Sequence, residues 1–141
     1  MKITLRNLQL SDLEKYEKLK HPSQKFHNFN GPYFRKQTEL ELSKQINFYK
    51  NILEKNENTI VLENKKIIAN SETNEIIGEV NWYWKSKETN WLEVGIVIFN
   101  QNYWGKSLGY KALKLWIKEI FIKFPQLVRS RKIENATRSC L

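Results

Sequence analysis

The sequence predicts an α+β domain in which an antiparallel meander feeds a crossover helix. Three observations carry that expectation. Two early segments repeat apolar residues at helical spacing, and the middle of the chain holds β-branched and aromatic runs broken by turns. Residues 94–124 then pass from a strand-like run, through a loop of small residues, into a helix. Strands followed by a crossover helix make a mixed sheet the expected architecture.

Residues 3–6 form the opening strand. Ser11 supplies an N-cap and Glu14, three residues on, completes a capping box for a short helix. Leu13, Tyr16 and Leu19 are its apolar face, and Pro22 ends it. Residues 21–33 (HPSQKFHNFNGPY) read as a loop rich in Asn, Gly and Pro. Thr38 and Glu41 repeat the capping-box pattern and open a second helix to about residue 54, with Leu42, Ile46, Tyr49 and Leu53 as one stripe. The period then changes. Residues 59–63 and 67–69 read as one bent or bulged strand, 76–84 as a second strand and 91–99 as a third. The final helix spans 108–123, with Gly109, Leu113, Trp116, Ile117, Ile120, Phe121 and Phe124 on one face and Lys111, Lys114, Lys118 and Lys123 pointing away. Pro125 stops it, and a further strand is expected to begin at Leu127.

Composition bounds the function. At 141 residues there is room for one core and not two. A 40% apolar fraction with 13% aromatics supports a packed domain rather than disorder. No apolar run approaches the ~20 residues that span a bilayer. The first ten residues carry no signal-peptide pattern, so the cytoplasm is the expected compartment. Cys140 stands alone, which excludes an internal disulfide or a cysteine cluster, and two histidines without a nearby carboxylate pair give no metal site. A formal charge of +9 suits polyanionic partners, and equally suits a plain lysine-rich surface. No recognition helix, zinc finger or lysine block with interleaved aromatics is present, so nucleic acid is not the expected partner.

Residues 100–124 (NQNYWGKSLGYKALKLWIKEIFIKF) are the most informative stretch. A strand, a loop containing Gly105, Ser107 and Gly109, and a helix N-terminus together form an anion site. The first helical N–H groups lack internal partners, and the macrodipole adds roughly half a positive charge there. The plain alternative is a tight strand-to-helix turn.

The segments ITLRNLQLSDLEKYEKL, IIGEVNWYW, WLEVGIVI and above all YWGKSLGYKALKLWIKEIF resemble the GNAT superfamily of acetyl-CoA-dependent N-acetyltransferases, in particular the branch that acetylates ribosomal-protein N-termini. The resemblance runs from about Ile3 to Arg129. The family's loop reads Gln/Arg-x-x-Gly-x-Gly/Ala. Here Trp104 stands in the Gln/Arg position, Ser107 in the first Gly position and Gly109 in the last, so two of the three signature positions depart. Ser107 puts a side chain where backbone must approach phosphate. The resemblance implies that Trp104, Gly105, Lys106, Ser107, Leu108, Gly109 and Tyr110 hold the pyrophosphate of coenzyme A. It also implies that Ile96, Val97 and Ile98 offer a strand edge to its pantetheine arm, with no metal. Acetyl transfer needs a base, for which Glu93 is the first candidate and Glu79 the second; each is equally read as a solvated or lysine-paired carboxylate. A backbone amide near Val97 or Ile98 is the expected donor to the thioester oxygen. His21, His27, Asn28, Asn30 and Tyr33 are candidate acceptor contacts, the acceptor being a protein N-terminus or a small amine.

The family continues past the crossover helix with further strands and a helix. Here the character changes after Arg129 to a polar, patternless stretch. The expected organisation is therefore an acetyl-CoA-binding domain over 1–129 and an atypical tail over 130–141, as in a truncated or frame-shifted member lacking the last strands. Such a chain exposes a sheet edge, so a homodimer or other homo-oligomer is expected. The alternatives are a catalytically impaired acetyl-CoA-binding module and a basic ribosome- or RNA-associated protein.

Overall fold

The computed structural model describes residues 2–22, 37–55, 59–60, 63–105, 107–127 and 133–135, with backbone alone for 59–60 and 133–135. In chain order the elements are β1 (Ile3–Arg6), β2 (Leu8–Gln9), α1 (Leu13–Lys20), α2 (Glu39–Lys55), β3 (Thr59–Ile60), β4 (Lys65–Asn70), β5 (Ile76–Ser86), β6 (Trp91–Ile98), α3 (Leu108–Lys123) and β7 (Ile133–Asn135). One five-stranded mixed sheet runs β1-β4-β5-β6-β7, and β2 pairs separately with β3. The expected meander is β4, β5 and β6, antiparallel throughout, with β1 antiparallel to β4. β7 lies parallel to β6, as a strand reached through a crossover helix does.

Helices cover both faces of the sheet. Strand alternation sends Leu92, Val94, Ile96 and Ile98 of β6 into a core with Ala112, Leu113, Trp116 and Ile120 of α3. The opposite face buries Ile67, Ala69 and Ile76 against Leu13 and Tyr16 of α1 and Leu42, Ile46, Tyr49 and Leu53 of α2. Each such aliphatic side chain contributes about 1.5–3 kcal/mol of burial. Gly78 sits where β5 and β6 pass closest. A Cβ there would lie 2.1 Å from the Val97 carbonyl oxygen, so no side chain fits.

The capping half of the Thr38 box forms, with the Glu41 carboxylate meeting the Thr38 hydroxyl rather than its backbone N–H. The Glu41 N–H donates to Thr38 Oγ1 at 3.1 Å, and that hydroxyl lies 3.1 Å from Glu41 Oε1. The box expected at Ser11 and Glu14 does not form. Asp12 instead accepts the Gln9 N–H at 2.7 Å and the two-pronged Arg6 guanidinium at 2.6 and 2.9 Å. That charge-assisted pair draws residues 10–12 into a 3-10 turn, so α1 begins at Leu13. The single bent strand expected over 59–69 is two strands, β3 and β4, which join different sheets. The strand expected to begin at Leu127 also moves. Leu127 donates its N–H to the Phe124 carbonyl at 3.0 Å and is buried in the α3-side core. The strand forms at β7, inside the stretch that reads as a polar tail, because strand pairing with β6 uses main-chain groups that a mostly polar stretch also carries.

Candidate active site

The site begins in β6. β7 pairs with Leu92, Glu93 and Val94, and among the described residues nothing pairs with 95–98 on the edge away from β5. Immediately beyond, Gln101–Tyr103 make a 3-10 turn that leads to α3. Gly105 (φ 75°) and Ser107 (φ 62°) both take left-handed backbone. The direction in which a Gly105 Cβ would point is open space. Ser107 is the N-cap of α3 and its side chain caps nothing. The first amides of α3 are thus left to a ligand or water. Acidic residues are absent from that first turn.

Trp104 ties the two features together. Its indole N–H donates to the Ile98 carbonyl at 2.9 Å, and the ring packs against both cores. The side chain in the family's Gln/Arg position thus holds the loop against the end of β6. Left-handed backbone at Ser107 explains why the family pattern places glycine there; a Cβ in that conformation costs about 1–2 kcal/mol.

Two carboxylates face the α1 and α2 side of the sheet. Glu79 of β5 pairs in register with Val97, in the half of β6 beyond the β7 pairing, whereas Glu93 lies opposite Tyr83 in the half that β7 pairs. Glu79 is buried at the centre of a polar cluster. Tyr16 donates its hydroxyl to Oε2 at 2.5 Å, Lys20 Nζ lies 3.4 Å from Oε1 and Lys65 Nζ lies 3.7 Å from Oε2. Both ammoniums also reach the Tyr16 hydroxyl, at 3.3 and 3.4 Å. Lys65 is 3.4 Å from the Tyr49 hydroxyl as well, which accepts from Gln45 at 2.9 Å.

Charge explains how these groups titrate. Burial alone would raise the Glu79 pKa, but the ammoniums of Lys20 and Lys65 and the Tyr16 hydrogen bond outweigh it and hold it near 2. Burial pushes the Tyr16 phenol well above 10, and the Glu79 charge pushes the same way. Burial lowers Lys20, with Lys65 adding repulsion and Glu79 only partly compensating. Burial also acts to lower Lys65, yet Glu79 and Tyr49 outweigh it and its pKa is raised.

Glu93 is equally buried and differently kept. Lys85 Nζ lies 3.0 Å from Oε2 without hydrogen-bond alignment, so that oxygen accepts no hydrogen bond. Next to it, Asn81 lies across Gly95. A Cβ on Gly95 would fall 2.4 Å from Asn81 Oδ1, and that amide oxygen is buried with no hydrogen-bond partner among the described residues. An orphaned acceptor and an under-bonded carboxylate, side by side on one face, are equipped to receive N–H groups.

Glu79 and Glu93 share one face of β5 and β6 about 13 Å apart along the strand, and Ile96, Val97 and Ile98 lead on through the Trp104 hydrogen bond to the loop residues Gly105, Ser107, Leu108, Gly109 and Tyr110. Ile96 and Ile98 send their side chains into the α3-side core, which leaves only their backbone available. His21 stands at the end of α1 with Nε2 3.7 Å from Glu39 Oε1. His27, Asn28, Asn30, Tyr33 and Lys106 lie outside the described residues. Sequence reading counted Tyr16 and Tyr49 as apolar stripe and passed over Lys20, Lys65 and Asn81. The one available signal was Lys20 four residues after Tyr16, on the same helix face.

The family described as "Acetyltransferase (GNAT) domain" matches residues 2–138, and the chain belongs to that family. An acetyltransferase (GNAT family) from Bacillus anthracis has a similar fold, with TM-score 0.58 and 16% identity over 89% of this chain and 66% of that one. A chimera of the spermidine N-acetyltransferase SpeG from Vibrio cholerae and hSSAT gives TM-score 0.54 and 15% identity over 86% of this chain and 64% of that one. The aminoglycoside acetyltransferase AAC(6')-Ib in complex with coenzyme A gives TM-score 0.52 and 17% identity over 88% and 69%. The chain spans about two thirds of the length of these neighbours. No curated protein matches it in sequence. Among the described residues no group of His, Cys, Asp and Glu is placed to hold a metal, and no helix is long and apolar enough to cross a membrane.

Proposed function

We propose that this chain transfers an acetyl group from acetyl-CoA to a primary amine, on a protein N-terminus or a small molecule. The family match over residues 2–138, with the left-handed loop at the start of α3, carries this reading. The chain's residues suit the cofactor. Residues 95–98 offer their backbone to an amide-bearing arm as one more strand, and Asn81 Oδ1 waits for a donor beside them. Gly105, Ser107 and the amides of Leu108, Gly109 and Tyr110 suit a pyrophosphate, with Lys106 in the same loop.

When bound, acetyl-CoA supplies an activated thioester. The protein supplies the rest. The Ile98 N–H, which strand alternation turns away from β5 while that of Val97 turns toward it, donates to the thioester oxygen. Glu93, about 13 Å along β6 from Val97, takes through intervening water the proton that the amine must lose, and Asn81 orients the amine by accepting another N–H. Glu79 is the weaker base, since a carboxylate held near 2 has little affinity for a proton at neutral pH. It anchors Lys20 and Lys65 instead. The resemblance of the loop to the ribosomal-protein branch favours a protein N-terminus as acceptor.

The test is acetyl-CoA with a panel of amines, followed by release of free thiol. The panel holds a peptide with an N-terminal alanine or serine, spermidine and an aminoglycoside, the last two because structural neighbours are named for them. Binding with amine-dependent thiol release supports the reading. Binding without release makes the chain a cofactor-binding module, and absence of binding overturns the proposal.

A further inference from the structure

On the β1 side of α3, away from the β6 edge, a groove of about 740 Å³ runs between β1 and α3. Its walls are Lys2, Ile3 and Thr4 on one side and Lys111, Lys114, Leu115 and Lys118 on the other, with Ser71 at one end. β1 is the outermost strand of the sheet. Lys2 directs its carbonyl at Ser71, which donates both its N–H at 3.0 Å and its hydroxyl at 3.1 Å. In an antiparallel ladder the next residues alternate, so Ile3 and Leu5 turn their backbone N–H and C=O away from β4, Ile3 into the groove. Among the described residues nothing pairs with this edge of β1, which forms one wall.

The other wall is a basic helix stripe. Lys111, Lys114, Leu115 and Lys118 follow i, i+3, i+4, i+7 spacing and are all exposed. Among the described residues, none of Lys2, Lys111, Lys114 and Lys118 has a carboxylate within ion-pair distance, while Lys66 and Lys123 at the other side of α3 do, with Glu119 and Glu63. Helix stability does not account for this placement. Lys114 and Lys118 repel each other at i, i+4, and Lys111 stands near the positive end of the helix dipole.

We propose that this groove binds an acidic polypeptide segment in extended conformation, added to β1 as a further strand with its carboxylates on the α3 lysines. The β1 edge supplies main-chain hydrogen bonds and Leu115 an apolar seat for one side chain, while the lysines select charge. A nucleic acid fits less well. Single strands are held by aromatic stacking platforms, and this groove has none.

Fluorescence anisotropy with a short labelled peptide of alternating glutamate and valine tests the proposal on the full chain. Binding is expected to weaken roughly tenfold or more in Lys114→Glu and in Lys118→Glu. It is also expected to disappear for the same peptide N-methylated at alternate residues, which cannot pair with a strand edge. Circular dichroism and acetyl-CoA affinity serve as controls for the fold and are expected to stay unchanged in both variants. Four results overturn the proposal. One is absence of peptide binding by the folded wild-type chain, and another is equal binding of the N-methylated peptide. The third is tighter, steeply salt-dependent binding of oligouridylate in the same groove. The fourth is self-association through β1, seen by light scattering and abolished by Lys118→Glu.

Discussion

Glu79 and Glu93 are both buried glutamates on the same face of the same sheet, in adjacent strands, with Glu79 opposite Val97 and Glu93 four residues before it. At strand spacing the two are about 13 Å apart along β6. Glu79 is saturated: a phenol and two ammoniums satisfy it, and its proton affinity is nearly gone. Glu93 has one unaligned lysine and an oxygen that accepts no hydrogen bond. Burial and residue type are equal, so the neighbours alone divide the roles. A carboxylate with full partners organises structure, and one with few partners is available for chemistry.

The largest effect expected from that contrast is on stability. Glu79→Gln leaves Lys20 and Lys65 buried without their counter-ion and is expected to cost about 3–5 kcal/mol in urea unfolding. The matching change at Glu93 should cost much less, and equal losses at both sites would erase the distinction.

Acid comes next. Because folding depresses Glu79 from 4.5 to about 2, its contribution is complete above pH 4.5 and is lost as pH falls toward 2. The loss is on the order of 3 kcal/mol. Unfolding free energy measured across that window should fall in the wild type and flatten in Glu79→Gln; an identical slope in both would place the acid sensitivity elsewhere.

Tyr16→Phe removes one hydrogen bond from the saturated carboxylate while keeping the ring that packs edge-on at 6.2 Å from Phe99. A loss of about 1–3 kcal/mol is expected, with turnover retained, and a collapse of turnover at full stability would make Tyr16 part of the chemistry. Smallest is Ser107→Gly, which relieves left-handed strain at the α3 cap. It should stabilise by about 1 kcal/mol and hold or improve acetyl-CoA affinity, as calorimetry would report. Weaker binding would instead assign the hydroxyl a direct contact.

Local signals carried most of this architecture. The Thr38 cap, the Leu42 to Leu53 stripe and the bounds of α3 are written in neighbouring residues, and they fold as they read. What failed depends on partners distant in sequence. Asp12 is claimed by Arg6, which displaces the Ser11 cap, and β7 pairs with β6 from within a mostly polar stretch that gave no strand signal. The loop and strand edge of the site were legible because glycine placement and β-branching are local. The Glu79 cluster was not, since Tyr16, Lys20, Lys65 and Glu79 meet only after three elements pack. Their assembly is also what separates Glu79 from Glu93.

The most direct test is the turnover number of Glu93→Gln, measured by amine-dependent thiol release at saturating acetyl-CoA, alongside its melting temperature and acetyl-CoA affinity. A fall of roughly a hundredfold or more with stability and affinity preserved is the expected result. An unchanged turnover number in a folded, cofactor-binding variant would contradict the assignment of Glu93 as the base.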